Sequence, residues 1–440
     1  MQTDSRAELK GKSAPQASAS FETATYNKVG WRLIPFLLLC YVVAYLDRVN
    51  VGFAKLQMLQ DLKFSETVYG LGAGIFFVGY FLFEVPSNVI LHRVGARIWI
   101  ARIMVTWGVI SAGMMFVESA TSFYVMRFLL GVAEAGFFPG IILYLTYWYP
   151  AARRARMTAF FMSAIALSGV IGGPLSGWII QSFAGMNGLK GWQWLFILEG
   201  LPSIAVGIAT FFYLDDRIDH AKWLTAEEKS LLAANIVVEN TGKQDLSIRG
   251  VFADPRVWLM SLIYFAFVMG LYGVSFWLPT LIKATGVKDA LQIGLLTAIP
   301  WGSAVVAMIL VSRSADRHRE RRWHIAIPAV LGAAGLVLSA VWGQNTLLAM
   351  AALTVATMGI LTTLPLFWSL PTSFLAGAGA AAGIALINSL GNLAGFVSPF
   401  MVGWLKDLTQ STNAGMYALA ASMVLGAILT LGVPARLVNK

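Results

Sequence analysis

The chain has 440 residues, of which 58% are hydrophobic and 12% charged, with a formal net charge of +10. Soluble domains run at about 45–50% apolar and about 25% charged, so the composition excludes an ordinary soluble enzyme and describes a protein embedded in lipid. A single cysteine, Cys40, excludes a disulfide framework and a thiolate metal site within the chain.

In chain order, residues 1–29 are polar and rich in Ser, Ala and Lys, with no apolar core of the kind a cleavable signal needs. They read as a disordered cytoplasmic tail. Twelve apolar runs follow, at 31–50, 68–91, 97–118, 122–148, 157–180, 192–214, 254–281, 291–312, 323–343, 346–371, 379–404 and 413–434. Each is near the roughly 20 residues that a helix needs to cross a bilayer. The runs are continuous rather than alternating, and lipid offers the backbone no partner, so they are expected to be helices.

The charged stretch 215–253 separates six runs from six, giving an N-terminal half (30–214), a cytoplasmic linker, a C-terminal half (254–435) and a short tail (436–440). Within the linker, Thr225 followed three residues later by Glu228 predicts a capped surface helix. With the N-terminus inside, 23 of the 32 Lys and Arg fall on the inner side, six on the outer side and three within spans. The positive-inside rule therefore places both termini in the cytoplasm, in a multi-pass arrangement expected for a cell (inner) membrane. The basic balance is topological and does not indicate nucleic acid.

The halves repeat. "GLGAGIFFVGYFLFEVPSNVILHRVGAR" from Gly70 aligns with "GLLTAIPWGSAVVAMILVSRSADRHRER" from Gly294 at an offset of 224, which pairs Arg93 with Arg317 and Arg97 with Arg321. Such repeats mark secondary transporters, whose substrate site lies near mid-membrane between the halves.

These features resemble the major facilitator superfamily over residues 30–435. The loop "SRSADRHRERR" is similar to that superfamily's loop motif; the first-half copy is weaker, with His92 where an Asp often stands. "YLDRVNVGFA", "GYFLFEVPSNVIL", "RFLLGVAEAGFFPG" and "LYGVSFWLPTLIK" together resemble the anion:cation symporter family. The resemblance implies an all-α membrane protein of twelve helices in two pseudo-symmetric halves. It also implies monomeric import of a small organic anion, such as a sugar acid, tartrate or an aromatic carboxylate, usually with protons.

Ionisable residues inside spans are functional candidates because lipid makes them costly. Asp47 and Arg48 are neighbours, so they point roughly 100° apart on a helix. Arg48 shares its face with Tyr41 and Tyr45 and is expected to face the central cavity, where its fork matches a carboxylate. Tyr45 and Tyr80 add hydroxyls. The resemblance implies the same substrate role for the span-one Arg and span-two Tyr, and a proton-coupling role for Asp47. Arg127 and Glu134 lie two turns apart on span four and share a face; Glu134 is expected as a second proton site, with Arg127 either its counter-charge, the favoured role, or a second anion contact. Gly131 and Ala135 have the small-xxx-small spacing of close helix packing. Glu84 and Glu199 are expected to hold loops or cap helices.

The second half offers Tyr272, Trp301, Trp368, Asn388 and Asn392, of which Tyr272, Trp368 and Asn388 are expected to touch substrate. Span five carries no Gln of the sort that some relatives use for polyols, which favours a less hydroxylated anion. The competing reading keeps the fold but makes the protein an anion exchanger or uniporter without proton coupling. Zinc, phosphate-loop and triad motifs are absent from the sequence, so no metal, cofactor or enzyme activity is expected.

Overall fold

The computed structural model describes residues 19–240, 248–373 and 377–438. Twelve helices in it are long and apolar enough to cross a membrane: Ala19–Leu62, Glu66–Val94, Ala96–Phe116, Ala120–Thr146, Phe160–Ser182, Gly191–Tyr213, Pro255–Ala284, Ala290–His318, Arg322–Val341, Thr346–Ser373, Gly383–Thr409 and Asn413–Gly432. They are numbered here as spans one to twelve. No strand occurs among the described residues.

Two boundaries differ from the sequence reading. The tail expected over 1–29 is helical from Ala19. The cause is tertiary: Glu22 meets Arg153 at 3.1 Å, Lys28 meets Glu228 of the linker helix at 2.8 Å, and Tyr26 stacks on Tyr149. Span one also continues past residue 50, after a one-residue break, as Val51–Leu62. That continuation takes Lys55, which follows the expected end of span one at residue 50, into the interior at 4% exposure.

The linker helix Ala226–Asn240 forms as expected, with Glu228 Oε2 accepting from the Thr225 N–H and Thr225 Oγ1 accepting from the Glu228 N–H. The acid missing at His92 is supplied from elsewhere. Asp216, just beyond span six, accepts from the Arg97 N–H at 2.8 Å and lies against Gly95, whose φ of +95° closes the turn between spans two and three. In the second half Asp316 pairs with Arg321 at 2.6 Å.

The halves meet along two glycine seams. Gly74 of span two faces the Phe396 carbonyl of span eleven, and Gly173 of span five faces the Gly294 carbonyl of span eight; an added Cβ would stand 2.7 and 2.6 Å from those oxygens. Gly70 and Gly177 make even closer approaches to Pro399 and Ala290. All lie toward the end of the bundle opposite the termini. At that end Lys406 of span eleven pairs with Glu66 of span two, and Asp407 accepts from the N–H groups of Glu66 and Thr67. That end is sealed.

The repeat offset locates the pseudo-twofold axis. Arg48 and Tyr272 are 224 residues apart and bonded to each other at 3.3 Å. Gly52, 224 residues before Phe276, faces its carbonyl. Equivalent positions that touch lie on the axis relating the halves, so the axis runs beside Arg48.

Candidate functional site at the centre of the bundle

Two helix breaks place the central charges. Span one breaks at Asn50, so Arg48 stands in the last turn of Ala19–Val49, where the carbonyl end of a helix favours a cation. Span four breaks after Glu134: Ala135 leaves the helical region with φ −53° and ψ 131°, Gly136 has φ +85°, and the helix restarts at Phe137. Gly136 is required there by its left-handed backbone and because Ser87 fills the space that a Cβ would take.

Arg48 is 6% exposed and Glu134 1%, and the two form an ion pair. Arg48 also donates to the Tyr272 hydroxyl at 3.3 Å, whose other neighbour is Asn392 Oδ1 at 3.5 Å. Its Nε has no partner. The rings of Tyr45, Phe76 and Tyr80 surround the guanidinium at 5.4–5.7 Å. The Tyr45 hydroxyl bonds to Ser275 at 3.2 Å, a second link between the halves. Among the expected binding residues, Arg48, Tyr45, Tyr80 and Tyr272 are thus brought together on the axis.

Four of the residues singled out in the sequence, Arg127, Asn388, Glu84 and Trp368, have their hydrogen bonds or ring contacts outside this group. Arg127 is not bonded to Glu134. It donates at 3.3 Å to the carbonyls of Gly72 and Ala73, with Nη1 unpartnered. Helical periodicity places Arg127 and Glu134 on one face but cannot see that Arg48 reaches Glu134 across the bundle first. Asn388 lies by the Glu84 carboxyl rather than in the Arg48 group, beside Ser389, whose hydroxyl donates to Glu84 at 3.2 Å. Glu84 therefore bridges spans two and eleven and does not hold a loop. Trp368 packs on Tyr264 and Phe367 within the second half.

Asp47, 1% exposed, points away from Arg48 as the 100° turn requires. It accepts from Trp107 Nε1 and Ser111 Oγ at 2.8 Å each, and from Ser203 Oγ. These donors on spans three and six carry no sequence signal of their own; a Ser or Trp in an apolar run is ordinary. Glu199 is buried in the same half and accepts from Ser176 Oγ at 2.7 Å.

Chemically, the centre is one buried cation already holding an internal carboxylate, walled by rings and tied to both halves. Leaving either partner of such a pair alone costs about 3–5 kcal/mol. The pair can therefore open only when another anion takes Arg48 or a proton neutralises Glu134.

A profile of the Major Facilitator Superfamily matches residues 37–399. A Pseudomonas putida protein named "Putative metabolite transport protein NicT" is 51% identical over 95% of this chain and 96% of its own length. An Agrobacterium vitis protein named "Putative tartrate transporter" is 51% identical over 93% of this chain and 91% of its own. Among solved structures, a D-xylose-proton symporter superposes with a TM-score of 0.74 at 15% identity, covering 93% of this chain and 98% of that one. At that identity the likeness concerns the fold.

Proposed function

The chain belongs to the major facilitator superfamily, and we propose that within it this protein is a secondary transporter that imports a small organic anion together with protons. The observation that carries this reading is the Arg48–Glu134–Tyr272 group on the pseudo-twofold axis. A substrate carboxylate and the Glu134 carboxylate are the same chemistry competing for one guanidinium fork. Protonating Glu134 releases Arg48 to the substrate, so the anion and the proton are held together. A monoanion and one proton add no net charge to the dry centre. Rocking of one half against the other around this point then changes the side to which it opens.

Asp47, beside the pair on the adjoining face, is the second proton-coupling carboxyl in this reading, and Arg127 supplies fixed positive charge on the side of Glu134. Tyr45 and Tyr80 wall the anion, with Tyr272 as a donor. The name of the Agrobacterium vitis relative, a putative tartrate transporter, supports an organic acid as cargo. The Lys and Arg distribution supports cytoplasmic termini in the inner membrane and makes the sealed end external. The protein is expected to act as a monomer.

The competing reading, anion exchange without protons, has one observation in its favour: the three neutral donors around Asp47 suit a permanently charged carboxylate. Uptake of labelled tartrate and nicotinate into proteoliposomes, with and without an inward proton gradient, separates the two. Gradient-driven uptake that Asp47→Asn abolishes while counterflow survives is expected. Exchange that ignores the gradient and both Asp47→Asn and Glu134→Gln establishes the exchanger instead.

A further inference from the structure

Among the described residues, the buried mid-membrane interior of the first half holds four carboxyls, Asp47, Glu84, Glu134 and Glu199, against two guanidiniums, Arg48 and Arg127. Lys55 does not alter this balance, because it is paired with Glu66 at 2.6 Å in the cluster at the sealed end. Full ionisation would leave two uncompensated negative charges in a medium that tolerates none. Two protons make up the difference. Glu84, whose partner is the Ser389 hydroxyl rather than a guanidinium, is the place for one, and the hydrogen-bond partners of the other three show where the second sits.

Glu134 takes Arg48, and so needs its charge in this state. Asp47 accepts from three donors in this state, an indole N–H and two serine hydroxyls, which suit its carboxylate; the hydroxyls can turn to accept an O–H when Asp47 takes a proton. Glu199 is different. Its Oε1 accepts from Ser176, while its Oε2 has no partner at 3% exposure. Against it lies the amide of Asn50, 1% exposed, with neither Oδ1 nor Nδ2 bonded to anything else. An amide presents an acceptor to an acid's O–H and a donor to a carboxylate. Turning Asn50 about its terminal bond therefore serves Glu199 in both protonation states. Asn50 is free to do so because it occupies the break in span one and makes no side-chain cap to the helix that follows.

We propose that Glu199 is a proton-binding site, neutral in the state described here, with the unpartnered Asn50 amide as the group that turns to serve its Oε2. It exchanges this proton with Asp47. Ser203, whose hydroxyl lies on Asp47, is one helical turn from Glu199, and Glu199 lies on the side of Ser203 toward the sealed end. Charges on the other elements packed on span six are engaged elsewhere: Arg32 of span one lies over Tyr213 at the terminal end, and Lys55 of its continuation pairs with Glu66. Span five has none alongside it; Arg97 and Arg102 of span three lie in its first turns, toward the terminal end. In span one's continuation Asp61 is taken by Trp192 and Lys190. The bond made is Glu199 O–H and the bond broken is Asp47 O–H, with a single proton shared between them. This role in transport rests on the symport reading above; the protonation itself does not.

The test is infrared difference spectroscopy of the full-length protein in lipid, titrated with pH, alongside gradient-driven uptake of tartrate and nicotinate. Wild type is expected to show protonated carboxylic acid bands, one of which Glu199→Gln removes, with gradient-driven uptake falling at least about tenfold, the drop that a 1.4 kcal/mol loss produces. Asn50→Ala keeps the carboxyl but removes its acceptor, and is expected to shift the band. A band unchanged in both variants overturns the proposal, as does a lost band with gradient-driven uptake intact, which would leave Glu199 a neutral structural acid. If wild-type uptake ignores the gradient while Glu199→Gln still removes the band, the symport reading falls and the proton site stands.

Discussion

An arginine at 6% exposure in mid-membrane needs an anion at every stage of a transport cycle. Glu134 serves as that anion here, which makes the Arg48 fork the quantity to test. Arg48→Lys keeps the charge but not the planar pair of donors, and hydrogen bonds to charged groups are worth about 1.5–3 kcal/mol. Substrate binding is expected to weaken by about 10- to 100-fold, read as an increase in the half-saturating substrate concentration in counterflow, which needs no gradient. Tyr272→Phe removes one hydroxyl from the same guanidinium and is expected to weaken binding by about fivefold, the worth of roughly 1 kcal/mol. At this scale the sequence was readable where it broke a rule. A charge inside an apolar run announces itself, so Asp47, Arg48, Arg127 and Glu134 stand out. Their pairings do not. Arg127 seemed to belong to Glu134 because spacing along one helix is all that a single span reveals, whereas the actual partner stands 86 residues away on another span. The donors to Asp47 and the Asn50 amide beside Glu199 were silent for the same reason.

The elements were legible as apolar runs and illegible as broken ones. All twelve spans appear near their expected places, yet the breaks at Asn50 and at Ala135–Gly136, which aim the central charges, occur inside runs whose hydropathy is continuous. Residues 19–29 carry too little apolar character to signal a helix, and fold because a salt bridge and stacked rings on neighbouring segments hold them. Small residues were the better guide. Gly131, picked out by its spacing from Ala135, packs directly on the Phe76 carbonyl of span two, so a Cβ has nowhere to go. Gly131→Val is expected to push spans two and four apart and lower stability by about 1–3 kcal/mol, as overpacking does. Gly136→Ala adds left-handed backbone strain of about 1–3 kcal/mol to its collision with Ser87. Both variants should melt at lower temperature in detergent than wild type. Gly185→Ala has a similar φ of +84° with open space around it and isolates the backbone contribution.

At the scale of the whole molecule, the sealed end is where the two halves must part. Lys55 of the first half lies 3.3 Å from the ring centre of Trp277 in the second, and Glu66 joins Lys55 to Lys406 across the same boundary. Asp407 adds two backbone hydrogen bonds at the start of span two. Lys55 stays with Glu66 when the halves separate, since both belong to the first half, whereas Lys406 must let go. Lys406 and Glu66 are 24% and 20% exposed at the side chain, so water and salt screen the pair and its worth is nearer about 1 kcal/mol than the value for a dry ion pair. That is about a fivefold change in the ratio of open to sealed molecules. Spin labels at the exposed positions Lys63 and Lys288, one in each half, in a Cys40→Ser background, read this ratio directly. Lys406→Ala is expected to enlarge the long-distance population by about fivefold. Lys28→Ala, which removes a similar pair between span one and the linker helix without crossing between the halves, is expected to leave it unchanged. Equal shifts in both variants would mean that general loosening, rather than release of this latch, governs opening. No shift in Lys406→Ala would assign the seal to the contacts that remain across the boundary, the glycine seams with the Asp407 hydrogen bonds and the Lys55–Trp277 contact.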